Sequence, residues 1–315
     1  MMDLVEIEQK LKAAVKDSEF LKKEGEVASY IPELENVDKD NFGMALTTVK
    51  GQTLAFGDEK IKFSIQSISK VINLIMALED FGPEKVFSKV GTEATAYKFN
   101  SLIPIDEKVV NPFINAGAIT TASLIKGGDV EERFNRVLAK VRELSGSEDV
   151  IFLEEVYNSE MKTTDRNRSI AYYLKSKEII EGDSEEILDL YVRNCSIGLN
   201  VRQLSEIGGV LANGGRSLKD GRQLIDKNVV KTTLSLMSTC GMYEESGRYS
   251  IEVGFPSKSG VGGAIIGIVP GKCGVCTYSP RLDKFGNSVR GKKVLAEISE
   301  TLNLNMFIGG NNGNF

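Results

Sequence analysis

Apolar residues recur in several rhythms along the chain. From Asp3 to Lys23 they alternate with charged residues at helical spacing, which predicts a surface helix. Gly43 to Val49 and Thr53 to Phe56, separated by Gly51, predict two short strands and a turn. Ile61 to Ile65 is a candidate third strand. From Ser67 to Phe81, Ile68, Val71, Ile72, Ile75 and Met76 repeat as i, i+3, i+4, i+7, i+8, with Leu74 and Leu78 widening the stripe. A helix apolar nearly all round is a buried helix, and Gly82-Pro83 marks its stop. Val130 to about Leu211 is mostly helical, with segments Val130–Leu144, Arg166–Lys175, Glu185–Arg193 and Leu204–Leu211. Asn213-Gly214-Gly215 reads as the C-cap of the last. Ser250–Phe255, Ala264–Val269 and Gly274–Tyr278 predict strands, and Asp283 to Asn287 a turn. Val289, Val294, Leu295, Ile298 and Leu302 make a final amphipathic helix.

Strands thus lie at both ends and helices in the middle. The simplest assembly is an α+β fold, one antiparallel sheet built from both ends of the chain with a helical domain inserted. The expected division is a sheet domain of residues 1–65 and 220–308, a mainly helical domain of residues 66–219, and a disordered tail at 309–315. A length of 315 residues is compatible with two domains.

Composition narrows the chemistry. The net charge of −5 disfavours nucleic acid as a partner. No apolar run reaches membrane-spanning length, and Met1 to Glu6 lacks the basic and apolar regions of a signal peptide. Four cysteines are too few for a disulfide framework in so long a chain. The expected location is the cytoplasm. The chain has no histidine. That excludes Ser-His-Asp and Cys-His schemes and every His-ligated metal site. A general base near neutral pH must be a shifted Lys, Tyr, Asp, Glu or Cys. Cys273 and Cys276, three apart in a strand, point to opposite faces and read as core sulfurs rather than metal ligands.

A serine beside a lysine meets this restriction. Ser67-Ile68-Ser69-Lys70 opens the buried helix. Residues three apart share a helix face, and apolar neighbours disfavour the charged ammonium. A neutral lysine can then take a serine proton. A capping Ser with a solvated Lys is the alternative for this tetrapeptide alone. Lys258-Ser259-Gly260 lies just before an apolar strand, where it is either a Gly-rich turn or a strand-edge motif. Ser-x-x-Lys followed by Lys-Thr-Gly is the order found in penicillin-binding proteins and class A β-lactamases.

Longer strings resemble one family over Gly25 to Gly291, the serine-dependent glutaminases of the β-lactamase/penicillin-binding-protein-like fold. They include Gly25-Glu26-Val27-Ala28-Ser29-Tyr30, Phe63-Ser64-Ile65-Gln66-Ser67-Ile68-Ser69-Lys70, Asn111-Pro112-Phe113-Ile114-Asn115-Ala116-Gly117 and Asp165-Arg166-Asn167-Arg168. Tyr191-Val192-Arg193-Asn194-Cys195, Cys240-Gly241-Met242-Tyr243, Lys258-Ser259-Gly260-Val261 and Ser279-Pro280-Arg281-Leu282-Asp283 follow in order. The resemblance implies hydrolysis of L-glutamine to L-glutamate and ammonia through a γ-glutamyl-serine, with no cofactor. It implies Ser67 as nucleophile, Lys70 as base, Tyr243 as proton shuttle, and the N–H groups of Ser67 and Val261 as oxyanion hole. Tyr30, Asn115, Glu160, Asn167 and Tyr191 would hold the α-amino and α-carboxylate groups. Glu160 aligns least well, and by its own string, Asn158 to Lys162, reads as a solvated loop. The resemblance further implies a homo-oligomer, expected to be a tetramer. A β-lactam hydrolase or esterase of the same fold is the alternative reading, and a non-catalytic amino-acid binder a third.

Overall fold

The computed structural model describes residues 3–102 and 109–308. The expected tail, 309–315, lies outside the described residues. The strands are β1 (Gly43–Thr48), β2 (Thr53–Gly57), β3 (Phe63–Ser64), β4 (Ile151–Phe152), β5 (Ile197–Leu199), β6 (Ser257–Ser259), β7 (Ala264–Val269) and β8 (Cys273–Tyr278). Both ends of the chain build one antiparallel five-stranded sheet, ordered β2-β1-β8-β7-β6. A small second sheet, β3-β5-β4, links the approach to Ser67 with distant segments.

Period-two alternation sorts the strand residues between two faces. Met44, Leu46, Ile265, Cys273 and Val275 pack with Ile7 and Leu11 of helix α1 (Leu4–Asp17) and with Val294, Leu295 and Ile298 near the C-terminus. Ala45, Ile266, Ile268, Cys276 and Tyr278 belong to the core of the other face. Cys273 and Cys276 therefore do lie on opposite faces, buried and unpaired. Beyond the sheet come α2 (Pro32–Glu35), α3 (Ser69–Lys89), α4 (Asn115–Ser123), α5 (Val130–Ser145), α6 (Glu154–Thr163), α7 (Asp165–Ser176) and α8 (Ser184–Cys195). Helices α9 (Val201–Ala212), α10 (Lys227–Cys240), α11 (Ser246–Glu252) and α12 (Val289–Thr301) complete the order. α9 crosses the sheet at backbone distance. A Cβ on Gly274 would lie 2.2 Å from Gly208 C and Gly209 N. Only glycine on the strand permits that crossing.

Four expectations are corrected. Ser250–Phe255 is not a strand; residues 246–252 are α11. Tyr249 and Val253, four apart, are buried together, while Ile251 between them is 81% exposed. That is helical spacing, which the local alternation of Ile251, Val253 and Phe255 disguises. The Gly82-Pro83 stop, by contrast, is where the sequence puts it: Gly82 leaves helical geometry at φ +75° and ψ 165°, and a second helical segment follows to Lys89. The first helix ends at Asp17 rather than Lys23, and the third strand shrinks to Phe63–Ser64. Asn158 to Lys162 is no loop but part of α6.

Candidate active site

The edge of the small sheet delivers Ser67. After β3 the chain makes a 3₁₀ turn, Gln66–Ile68, and then enters α3. Gln66 has φ +47°, a left-handed position unusual for a side-chain-bearing residue. Ser67 is buried, as is Lys70, one turn on. Lys70 Nζ donates to Asn115 Oδ1 at 2.7 Å and to Phe113 O at 3.2 Å. Burial pushes Lys70 down to about 8, against the opposing pull of Cys195 and Glu160.

Asn115 is the first residue of α4, yet its side chain does not cap the helix. Its Oδ1 accepts the hydrogen bond from Lys70 and its Nδ2 donates to Asn167 Oδ1 at 2.8 Å. Asn111 shapes the turn that leads into α4, its Oδ1 accepting from the N–H groups of Phe113 and Ile114. Asn167, on α7, donates in turn to Thr164 Oγ1 at 3.3 Å. Glu160 of α6 is buried, and burial pushes its carboxyl up to about 7, with Gln66 and Lys70 opposing. Gln66 Nε2 donates to Glu160 Oε2 at 3.3 Å. Tyr191 of α8 is fully buried, and burial raises its phenol well above the usual value. Tyr30 exposes 56% of its surface, but its hydroxyl end is desolvated and likewise raised.

Tyr243 lies in the 3₁₀ turn after α10, at φ +55°. Its hydroxyl donates to Ser259 O at 3.3 Å. Burial pushes the phenol up to about 12, moderated by hydrogen bonds toward Ser67 and Ser259. Among the described residues Ser67 thus faces Tyr243, and no direct Ser67–Lys70 hydrogen bond is formed. Val261 follows the edge strand β6 in a Gly-rich turn. Cβ atoms on Gly260 and Gly262 would lie 2.5 Å from Ile65 O and 2.8 Å from Ser64 O. The glycines let this turn lie directly on the strand that leads to Ser67. Among the described residues the backbone N–H groups of Ser67 and Val261 donate to no backbone carbonyl.

A cavity of about 130 Å³ gathers seven of the nine residues singled out from the sequence: Tyr30, Ser67, Asn115, Glu160, Asn167, Tyr191 and Val261. Lys70 and Tyr243 reach its members from buried positions. Gln66, Phe99, Thr164 and Arg166 also line it and were not assigned in advance. Gln66 was within reach, since it adjoins Ser67 and carries an amide donor. Lys258 was quoted in a motif without a role. It is fully buried, its Nζ 4.1 Å from the centroid of the Tyr243 ring and 2.7 Å from Ser259 O. The cavity shares Tyr30, Phe99, Asn100 and Val261 with an outer groove of about 620 Å³ walled by Glu244 and Leu282–Gly286. Another cleft of about 500 Å³, beside Arg142, Glu143 and Glu206, holds none of these groups.

The arrangement offers a hydroxyl near a lysine of depressed pKa, free backbone donors, and a buried carboxylate in the same cavity. That set suits acyl transfer from a small molecule carrying both an amide and an ammonium. Comparison with known proteins agrees. The Glutaminase family model matches residues 25–307. The glutaminase of Clostridium tetani is 47% identical over 96% of this chain and all of its own length. Glutaminase 2 of Clostridium perfringens is 42% identical over 94% of this chain and 99% of its own. The Bacillus subtilis glutaminase YbgJ, solved as a covalent complex with 5-oxo-L-norleucine, superposes with a TM-score of 0.87. It is 34% identical, covering 95% of this chain and 99% of that one. The chain belongs to the glutaminase family, amidohydrolases of serine β-lactamase-like fold that act on the side-chain amide of glutamine.

Proposed function

We propose that this chain hydrolyses L-glutamine through a γ-glutamyl ester on Ser67. The observation that carries the reading is the single cavity lined by both Ser67 and the buried Glu160. Ser67 Oγ attacks the amide carbon as Lys70 takes its proton, directly or by way of Tyr243. The N–H groups of Ser67 and Val261 receive the oxyanion. Tyr243 delivers the proton with which ammonia departs. Water then attacks the ester, the proton path runs in reverse, and glutamate leaves. Glu160 pairs with the α-ammonium, while Tyr30, Asn115, Asn167 and Tyr191 supply neutral hydrogen bonds to the α-carboxylate end. Arg166, at the exposed rim, adds a positive charge near it, although its Nε already donates to Asn100 O at 2.9 Å. We place the protein in the cytoplasm as a homotetramer. The buried unpaired cysteines suit a reducing compartment, and the family resemblance supports the assembly.

Purified protein is expected to release ammonia from L-glutamine in a coupled dehydrogenase assay. Turnover of nitrocefin without ammonia release would favour a β-lactam hydrolase instead. Glu160→Gln removes one charge and keeps the shape. It is expected to raise KM by about 10–100-fold, the worth of a charge-assisted hydrogen bond, with a smaller effect on kcat. An unchanged KM would remove Glu160 from the ammonium site.

A further inference from the structure

Tyr243 occupies a backbone position that side-chain-bearing residues hold only when their surroundings impose it. Its φ is +55°, in a turn of three residues, Tyr243–Glu245. Such strain persists where neighbouring structure over-determines it. Part of the constraint is local. Ser246 Oγ donates to Tyr243 O and accepts from Met242 N. The rest comes from a distant stretch of chain.

Glu245, two residues after Tyr243, is a buried carboxylate. Its Oε2 accepts from Asn287 Nδ2 at 2.7 Å and from Lys292 Nζ at 2.6 Å. Lys292, in the first turn of α12, also pairs with Asp283. Asp283 Oδ1 in turn accepts from the N–H groups of Phe285 and Asn287 and so closes the loop 283–287. Burial works against the Lys292 ammonium, but the Asp283 and Glu245 carboxylates outweigh it and hold the group above its ordinary value. Asn287 is fully buried, and its Oδ1 has no donor among the described residues. The position therefore serves the Nδ2 bond to Glu245. At the tip of the same loop, a Cβ on Gly286 would lie 3.5 Å from Val261 Cγ1 and 3.8 Å from Tyr243 Cε2. The loop thus touches both the proposed proton shuttle and a proposed oxyanion donor, without lining the cavity that holds Ser67.

We infer that Glu245, Asn287 and Lys292 form a positioning cluster that fixes Tyr243 relative to Ser67 and governs the rate of chemistry rather than substrate affinity. The inference rests on the proposed role of Tyr243. None of the three lines the cavity beside Ser67 and Glu160, so their loss leaves substrate contacts in place. A misplacement of about 1 Å at a reacting group can cost on the order of 100-fold in rate.

The test is steady-state kinetics of Lys292→Met, Asn287→Ala and Lys292→Arg, each also combined with Tyr243→Phe. Lys292→Met and Asn287→Ala are expected to lower kcat by at least about 10-fold with KM within about twofold, and Lys292→Arg to recover most of the loss. Added to Tyr243→Phe, the same changes should cost little more, because residues acting through one group are not additive. Normal kcat in Lys292→Met and Asn287→Ala, with Tyr243→Phe impaired, overturns the cluster and leaves the shuttle standing. Full additivity with Tyr243→Phe also overturns it. Wild-type kcat in Tyr243→Phe sinks the shuttle reading itself, whatever the other variants do. Should Lys292→Met fail to fold, Glu245→Gln, which keeps an acceptor for Asn287, carries the same expectation.

Discussion

Ser67→Ala is expected to lower kcat for glutamine hydrolysis by at least about 10⁴-fold, the scale seen when a serine nucleophile is removed from its supporting groups. The change deletes one buried oxygen. Lys70 still donates to Asn115 and Phe113, Gln66 still reaches Glu160, and Asn115 still holds Asn167. Glutamine binding should therefore survive, read as thermal stabilisation of the variant by glutamine. Chemistry and binding separate in one protein. A second readout is covalent. The wild-type chain should gain a single adduct from 6-diazo-5-oxo-L-norleucine by intact mass, mapped to the Ser67 peptide, and Ser67→Ala should gain none. Ammonia release by Ser67→Ala at a rate near wild type would refute the acyl-enzyme scheme.

The periodic segments were legible because burial there is one-sided. α5 alternates charged and buried positions, and α12 places Val294, Leu295 and Ile298 on one face. The strands β1, β7 and β8 were equally plain, and they pair in one antiparallel sheet. α4 was harder, because Asn115 through Ala122 are all buried and no polar face marks the helix. The site divides in the same way. Ser67 and Lys70 follow from helical spacing and the absence of histidine. Glu160 does not, since its string is polar and only tertiary packing buries it. The cluster of Glu245, Asn287 and Lys292 was invisible as well. Each residue is an ordinary surface type, and their contact spans 42 and 47 positions of sequence.

Lys70 should set the pH dependence of this histidine-free site, and its replacements should reveal whether it acts as a base or as a charge. Burial lowers Lys70 to about 8, so its neutral form grows as pH rises through that value. Only the neutral form accepts the Ser67 proton. Glu160, raised by burial to about 7, becomes the carboxylate an α-ammonium needs as pH rises through 7. Both deprotonations favour turnover, so activity should climb from pH 6 to above 8. The slope should be steeper for kcat/KM, which reports the free enzyme, than for kcat. A steep fall in activity between pH 6 and 8 would contradict both assignments. Lys70→Met is expected to lose about 10²–10⁴-fold in kcat, the usual contribution of a positioned general base. Lys70→Arg is the sharper probe. Its guanidinium keeps the positive charge and the donors to Asn115 and Phe113, but it does not deprotonate in this range. Lys70→Arg should therefore be as impaired as Lys70→Met, and its residual activity should lack the rise near pH 8. Recovery of activity by Lys70→Arg would mean that a fixed charge beside Ser67, and not a proton acceptor, drives acylation.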